Sequence, residues 1–160
     1  MPEPAPGLTP PNASTDAMLR LDKQLCFALY SASLAMTRLY KPLLDALGMT
    51  YPQYLVMLVL WEQDGLSVSE LGERLLLDSG TLTPLLKRME SSGLLTRQRD
   101  AHDERRVYIR LSPAGREMKA RAASIPGCIL HAAQCPEPEL VALTRQVQAL
   151  RQRLLQGGAA

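Results

Sequence analysis

Three helix-start signals crowd between Thr50 and Ser79, leaving room there only for short helices joined by tight turns. Thr50 with Gln53 makes a capping box, in which side chains at both ends satisfy N–H groups that the helix leaves unpaired, and Pro52 suits its first turn. This helix is expected from about Tyr51 through Trp61 to Gly65. Ser67 with Glu70 repeats the box and opens a shorter helix whose Val68, Leu71 and Leu75 share one face. Leu76 and Leu77 then lead straight to Asp78 or Ser79, a further N-cap, so two helices meet at a tight turn.

The second of these helices carries Leu82, Leu85, Leu86 and Met89 at i, i+3, i+4 and i+7, an inward stripe. At about 100° per residue, the opposite side presents Gly80, Pro84, Lys87 and Ser91, flanked by Thr81, Thr83 and Arg88. Small residues followed by cations let a helix N-terminus enter a nucleic-acid groove, with hydroxyls near base edges and Lys87 and Arg88 near phosphates. Pro84 removes a backbone donor in the second turn and is expected to bend or loosen the helix start. Leu94 to Arg99 and Arg106 to Leu111 then read as strands around the polar turn Asp100 to Glu104, which makes the whole a winged helix. Arg105, near the tip, is placed to enter a minor groove, with Asp103 to orient it through a salt bridge. Between Lys87 and Arg121, ten Lys and Arg face five Asp and Glu, so this stretch carries +5 in a chain whose net charge is only +2. Such asymmetry fits a polyanion-binding face, although a solvated amphipathic helix and a merely soluble hairpin would carry similar charges.

The flanks read as helices around this centre. Residues 1–15 hold five prolines and are expected to be a disordered tail, leaving 16–160 as a single mainly α domain. Within it, 50–112 is the winged-helix part, and 16–49 and 113–156 supply dimerisation helices. From Asp16 to about Leu39 the periodicity predicts one long helix, with a short one after the disturbance at Pro42 and a stop at Gly48. Ser112 and Pro113 start a helix to about Ser124, which Ile125, Pro126 and Gly127 should kink or interrupt. In the last helix, after Pro136 and Pro138, Leu140, Leu143, Val147, Leu150 and Leu154 form a narrow seam suited to a second helix. That points to a homodimer, with use of the seam inside a monomer as the alternative.

Cys26 lies among Leu21, Leu25, Phe27, Leu29 and Tyr30, and Tyr30 is four residues on, where a phenol on the same helix face can reach a thiolate. A core thiol and a peroxide sensor both fit. There is no run of 18 apolar residues and no secretory start, and an odd three cysteines suit a reducing compartment, so a cytoplasmic, non-membrane protein is expected. No motif calls for a cofactor. Cys128, His131 and Cys135 at i, i+3 and i+7 raise a metal-responsive regulator as a rival, without an evident fourth ligand. A thiol peroxidase using Cys26 would need no helix-turn-helix, so a non-enzyme is expected.

Tyr51-Pro-Gln-Tyr54, the run Asp78 to Met89, and Asp103-Glu-Arg105 followed by Val107, Ile109 and Leu111 resemble the MarR family of winged-helix repressors. More narrowly, Leu25-Cys-Phe27 with Tyr30, Tyr40-Lys-Pro-Leu-Leu44 and Ile125-Pro-Gly127 are similar to its organic-hydroperoxide-resistance branch, OhrR, over about residues 19 to 155. The resemblance implies a homodimeric repressor of double-stranded operator DNA, induced by organic hydroperoxides. Its expected DNA contacts are Ser79, Gly80, Thr81, Thr83, Pro84, Lys87, Arg88, Asp103, Arg105 and Arg106. It also implies that Cys26 is the peroxidatic cysteine, that Tyr40 and Tyr51 hydrogen-bond it, and that Cys128 is the resolving cysteine, with Cys135 as a competitor. On one straight helix Tyr40 would lie about 21 Å from Cys26, so a chain reversal or a second subunit must bring them together, and the family implies the second subunit. Cys26 is expected well past the first turn of its helix, where phenols rather than the helix end would activate it. Pro126 and Gly127 are expected to give Cys128 local freedom. A repressor released by a non-covalently bound phenolic or lipid-like ligand, with Cys26 only lining the pocket, is the alternative.

Overall fold

Both capping boxes form in the computed structural model, which describes residues 13–158. Thr50 and Gln53 exchange their side-chain and backbone bonds at the start of one helix, and Ser67 and Glu70 do so at the start of the next. The described chain falls into two compact units that part between Thr37 and Arg38.

The first unit departs from the sequence expectation. Residues 1–12 of the expected tail lie outside the described residues, and its last three residues belong to a short helix, α1 (Ala13–Met18). The predicted long helix from Asp16 is broken: a single 3-10 turn follows at Leu21–Lys23, and α2 (Leu25–Asp45) begins only after Gln24. Gln24 has extended backbone, and its side-chain amide donates to the carbonyls of Met18 (2.6 Å) and Arg20 (2.9 Å), closing off the preceding segment. Periodicity of apolar residues does not register such a side-chain stop.

At its other end α2 runs through Pro42 to Asp45 without the predicted second helix. A proline removes only one donor from an otherwise continuous ladder. The stop is made by Gly48, whose φ of +69° lets its N–H reach the Asp45 carbonyl and the Met49 N–H reach that of Leu44.

In the second unit α3 (Tyr51–Glu62), α4 (Val68–Leu75) and α5 (Ser79–Ser91) pack on a three-stranded antiparallel sheet in the order β1-β3-β2. Its wing strands are β2 (Leu95–Arg99) and β3 (Val107–Leu111). The edge strand β1 (Leu66–Ser67) was not expected; two residues between Gly65 and a helix cap are too short to show alternation. It pairs Leu66 with Ile109, and β2 sets Leu95 opposite Leu111, so one face of the sheet turns these side chains inward. The predicted stripe Leu82, Leu85, Leu86 and Met89 is buried with them, along with Leu44, Val56, Met57, Leu60 and Leu71. Burying each such side chain contributes about 1.5–3 kcal/mol, which makes this the part of the unit that resists deformation.

Between α4 and α5 the chain reverses at Leu76, a non-glycine residue at φ 56°, with the Leu77 N–H returning to the Gly72 carbonyl. A Cβ on Gly72 would stand 2.7 Å from the Leu77 carbonyl, so glycine is needed for the two helices to meet this tightly.

After the wing come α6 (Pro113–Ala122), α7 (Ile125–Ala132) and α8 (Glu137–Gly157). Ser112 caps α6 as expected, and the interruption falls just before Ile125. Pro126 and Gly127 lie in the first turn of α7, where proline is already compatible with a helix, so they do not provide the predicted freedom beside Cys128. No α8 residue is buried, and Leu143, Val147 and Leu154 of its seam are exposed.

Candidate functional site

Asp78 fixes the N-terminus of α5. Its Oδ1 accepts the Thr81 N–H at 2.7 Å and its Oδ2 the Thr81 hydroxyl at 3.3 Å. The backbone bond from Thr81 is the main reason this carboxyl stays below the ordinary carboxylate range. Ser79, Gly80, Thr81, Pro84, Lys87 and Arg88 are exposed and Thr83 is half-buried, so the face expected to meet DNA is open. The helix runs unbroken through Pro84, although the sequence suggested a loosened start; Pro84 deletes only the bond that would reach the Gly80 carbonyl.

The wing brings its arginines to the same side. Ser79 and Thr83 line a groove with Arg105 and Arg106, and Glu70 and Glu73 form part of its wall. The hairpin turn is fastened by Asp100, whose Oδ1 accepts the N–H groups of His102 (2.7 Å) and Asp103 (3.3 Å). The first of these bonds leads in lowering the Asp100 pKa. Asp103 in turn accepts the Arg105 backbone N–H at 3.1 Å and its Nε at 3.2 Å, aiming a guanidinium that is 92% exposed. Arg97 points elsewhere: its backbone N–H and guanidinium bind Glu90, tying the end of α5 to β2.

Cys26 is exposed and occupies the second position of α2, which corrects the expectation that it lies past the first turn. The N-terminal end of α2 is therefore at Cys26. Tyr30, also exposed, follows one turn later on α2. Leu21 falls in the 3-10 turn, so the apolar residues around Cys26 do not form one helical face.

Tyr40 and Tyr51 come together within the larger unit. Their ring centroids are 5.0 Å apart, and Tyr54 completes the cluster at 5.8 Å from Tyr40 and 6.5 Å from Tyr51. Burial raises the pKa of all three phenols, with mutual repulsion adding to the effect at Tyr40 and Tyr54. They thus keep their protons as donors at neutral pH.

Cys128 is exposed on α7, and its N–H is taken by the Ser124 carbonyl. Cys135 is half-buried, with Sγ 3.7 Å from the Pro136 carbonyl; burial and then Glu139 push its thiol pKa up. Cys128, His131 and Cys135 do not gather as metal ligands among the described residues. The helix that would align them ends at Ala132, and Gln134 turns to φ 50° before Cys135.

The family description that matches is transcriptional regulator SarA/Rot, over residues 38–122. The organic hydroperoxide resistance transcriptional regulator of Bacillus subtilis (strain 168) is 57% identical over 112 residues, covering 70% of this chain and 76% of that protein. The chain belongs to the MarR-type winged-helix transcriptional regulators. Reduced AbfR of Staphylococcus epidermidis bound to DNA superposes with a TM-score of 0.73 at 33% identity, covering 88% of this chain and 98% of that one. The disulfide-formed AbfR matches at 0.58 and 33%, over 86% of this chain and 96% of that one.

In this MarR-type regulator the helix-turn-helix is α4 and α5, and the wing is β2 and β3. In the sequence Tyr54 stands out only as part of the motif Tyr51-Pro-Gln-Tyr54. Its spacing of three residues from Tyr51 was the available signal for a shared face. Among the described residues, no helix is long and apolar enough to cross a membrane.

Proposed function

We propose that this chain is a redox-sensing repressor that binds double-stranded operator DNA as a reduced homodimer. Its single domain then comprises a winged-helix part at 50–112 and dimerisation helices on either side. The exposed seam of α8 supports the dimer, because Leu143, Val147 and Leu154 would otherwise stay in water. Ser79, Gly80, Thr81, Thr83 and Pro84 approach the bases and backbone, Lys87 and Arg88 neutralise phosphates, and Arg105 and Arg106, with Asp103 holding Arg105, follow the adjacent groove.

The inducer is an organic hydroperoxide. The Cys26 thiolate sulfur attacks the distal peroxide oxygen, the O–O bond breaks, and the alkoxide leaves as an alcohol after taking a proton. Cys26 becomes a sulfenic acid. The Cys128 thiolate, of the other subunit, then attacks that sulfur, the S–O bond breaks, and the hydroxide takes a proton from solvent to leave as water, forming a disulfide. Tyr40 and Tyr51, supplied by the partner, donate to the thiolate beforehand, with Tyr30 available on the same helix as Cys26. Crossing from the partner meets the separation of about 21 Å that 14 residues of helical rise impose on one chain.

The observation that carries this reading is the cluster of protonated phenols in a chain whose exposed Cys26 begins a helix. The choice of Cys128 over Cys135 is supported by exposure and by the raised pKa of Cys135, which lowers its thiolate fraction. Operator release after one equivalent of cumene hydroperoxide tests it: Cys26→Ser should stay bound. Cys128→Ser should still form sulfenic acid but give no crosslinked dimer on a non-reducing gel. Release of Cys26→Ser by peroxide would overturn the sensor role, and a crosslink lost only in Cys135→Ser would move the resolving role.

A further inference from the structure

Trp61 is the only tryptophan in the chain, and it stands between the phenol cluster and the base of the wing. Its ring meets Tyr54 edge-to-face at 6.4 Å and 71°, and Tyr54, only 3% exposed, is the cluster's innermost member. On the other side the indole N–H donates to the Gly115 carbonyl of α6 at 2.9 Å.

Gly115 is wedged against the start of the wing. A Cβ there would collide with the Leu94 carbonyl, so helix and strand touch backbone to backbone. The same corner is closed by Ser112, whose Oγ accepts the Gly115 N–H at 3.0 Å and donates to the Gly93 carbonyl, while its own N–H binds Leu94. Asp64, just beyond α3, accepts the Leu111 N–H at the end of β3 at 2.9 Å.

The geometry points to Trp61 as a positioning residue that transmits the state of the tyrosine cluster to the wing base, so that α6, the wing and α5 move together. This inference rests on the redox reading above. When Cys26 is oxidised the phenols lose a charged acceptor and repack; a close-packed interior passes that shift to Tyr54, to Trp61 and, through the N–H bond to Gly115, to the wing. Trp61 touches neither peroxide nor DNA.

The test uses the full-length protein, reduced and after one equivalent of cumene hydroperoxide, with Cys26 followed by mass spectrometry in the same samples. Tryptophan emission reports Trp61 alone. It should change in step with Cys26 oxidation in the wild type and stay constant in Cys26→Ser. Trp61→Phe keeps a ring against Tyr54 and removes the N–H donor. Its reduced operator affinity should remain within about threefold of wild type and its Cys26 should oxidise at the same rate. The affinity lost on oxidation should shrink from about a hundredfold to tenfold or less. A Trp61→Phe protein that oxidises normally and loses affinity as fully as wild type overturns the coupling. So does wild-type emission that stays unchanged while operator is released. If Cys26 itself is not oxidised in the wild type, the redox reading fails and takes the coupling with it; the mass spectrum separates that outcome from the others.

Discussion

Removing one phenol oxygen should slow sensing without disturbing the fold. In Tyr51→Phe the ring remains to pack 5.0 Å from Tyr40 and 6.5 Å from Tyr54, and only the donor is lost. A hydrogen bond to a charged acceptor contributes about 1.5–3 kcal/mol, so the Cys26 thiolate population should fall roughly 10- to 100-fold. The less stabilised thiolate is more nucleophilic, with a Brønsted slope of about 0.4–0.5, which restores roughly half of that loss on a logarithmic scale. The net expectation is a second-order rate of sulfenic acid formation about three- to tenfold lower at pH 7, from Tyr51→Phe or Tyr40→Phe alike. Timed quenching with a sulfenic-acid trap and mass spectrometry measures it, and unchanged operator affinity of the reduced variants controls for folding. Because burial raises both phenol pKa values from the ordinary 10.0, the donors should persist as the pH is raised towards 10. Rates within about 1.5-fold of wild type in both variants would refute the reasoning, since a donor to the reacting charge contributes more than that.

Three other outcomes are expected. Lys87→Ala should reduce the slope of log affinity against log salt by about 1, measured by operator titration at several salt concentrations; an unchanged slope removes Lys87 from the phosphate contacts. Leu76→Gly should stabilise the protein by about 0.5–1 kcal/mol in urea denaturation, because glycine relieves the φ of 56° at a side chain that is already exposed. A midpoint shift in the other direction would show that Leu76 packs. Glu70, Asp78 and Asp100 have lowered pKa values, each led by a backbone N–H bond, so their contribution is present above the ordinary 4.5 and 3.8 and is lost as pH falls through the folded values. Circular dichroism should therefore show stability nearly constant from pH 7 to 5 and falling below about 4, and less acid sensitivity in Asp100→Asn.

What the sequence disclosed depended on how local its signal was. Capping boxes at Thr50 and Ser67, the cap at Asp78 and the stripe from Leu82 to Met89 are written within four to eight residues, and each formed in place. The start of α2 was not legible, because it depends on Gln24 folding its amide back six residues to the Met18 carbonyl. That one side chain moves Cys26 from an assumed mid-helix position to the second residue of a helix. Strand β1 was hidden for a different reason: its two residues acquire strand character only by pairing with Ile109 and Tyr108, more than forty positions away. Tyr40 and Tyr51 were named by resemblance; the helical spacing of Tyr51, Tyr54 and Trp61 signals a shared face, but the approach of Tyr40 to that face depends on the chain reversal at Gly48, which no periodicity specifies.

The stiffness of the winged helix restricts how such a switch can act. Three bonds from Arg97 to Glu90 tie α5 to β2, and Leu82, Leu86 and Met89 are fully covered beneath it. Tearing α5 from its bed would expose several side chains at about 1.5–3 kcal/mol each. A hundredfold loss of operator affinity needs only about 2.7 kcal/mol, less than that deformation would cost. Oxidation should therefore leave each winged helix intact and alter the spacing between the two in a dimer, where half-sites about 34–36 Å apart must be met at once. Amide hydrogen exchange distinguishes the two modes: protection within α5 and β2 should be the same in the reduced and oxidised protein. Loss of protection at Leu86 and Met89 on oxidation would mean that the recognition helix itself comes apart.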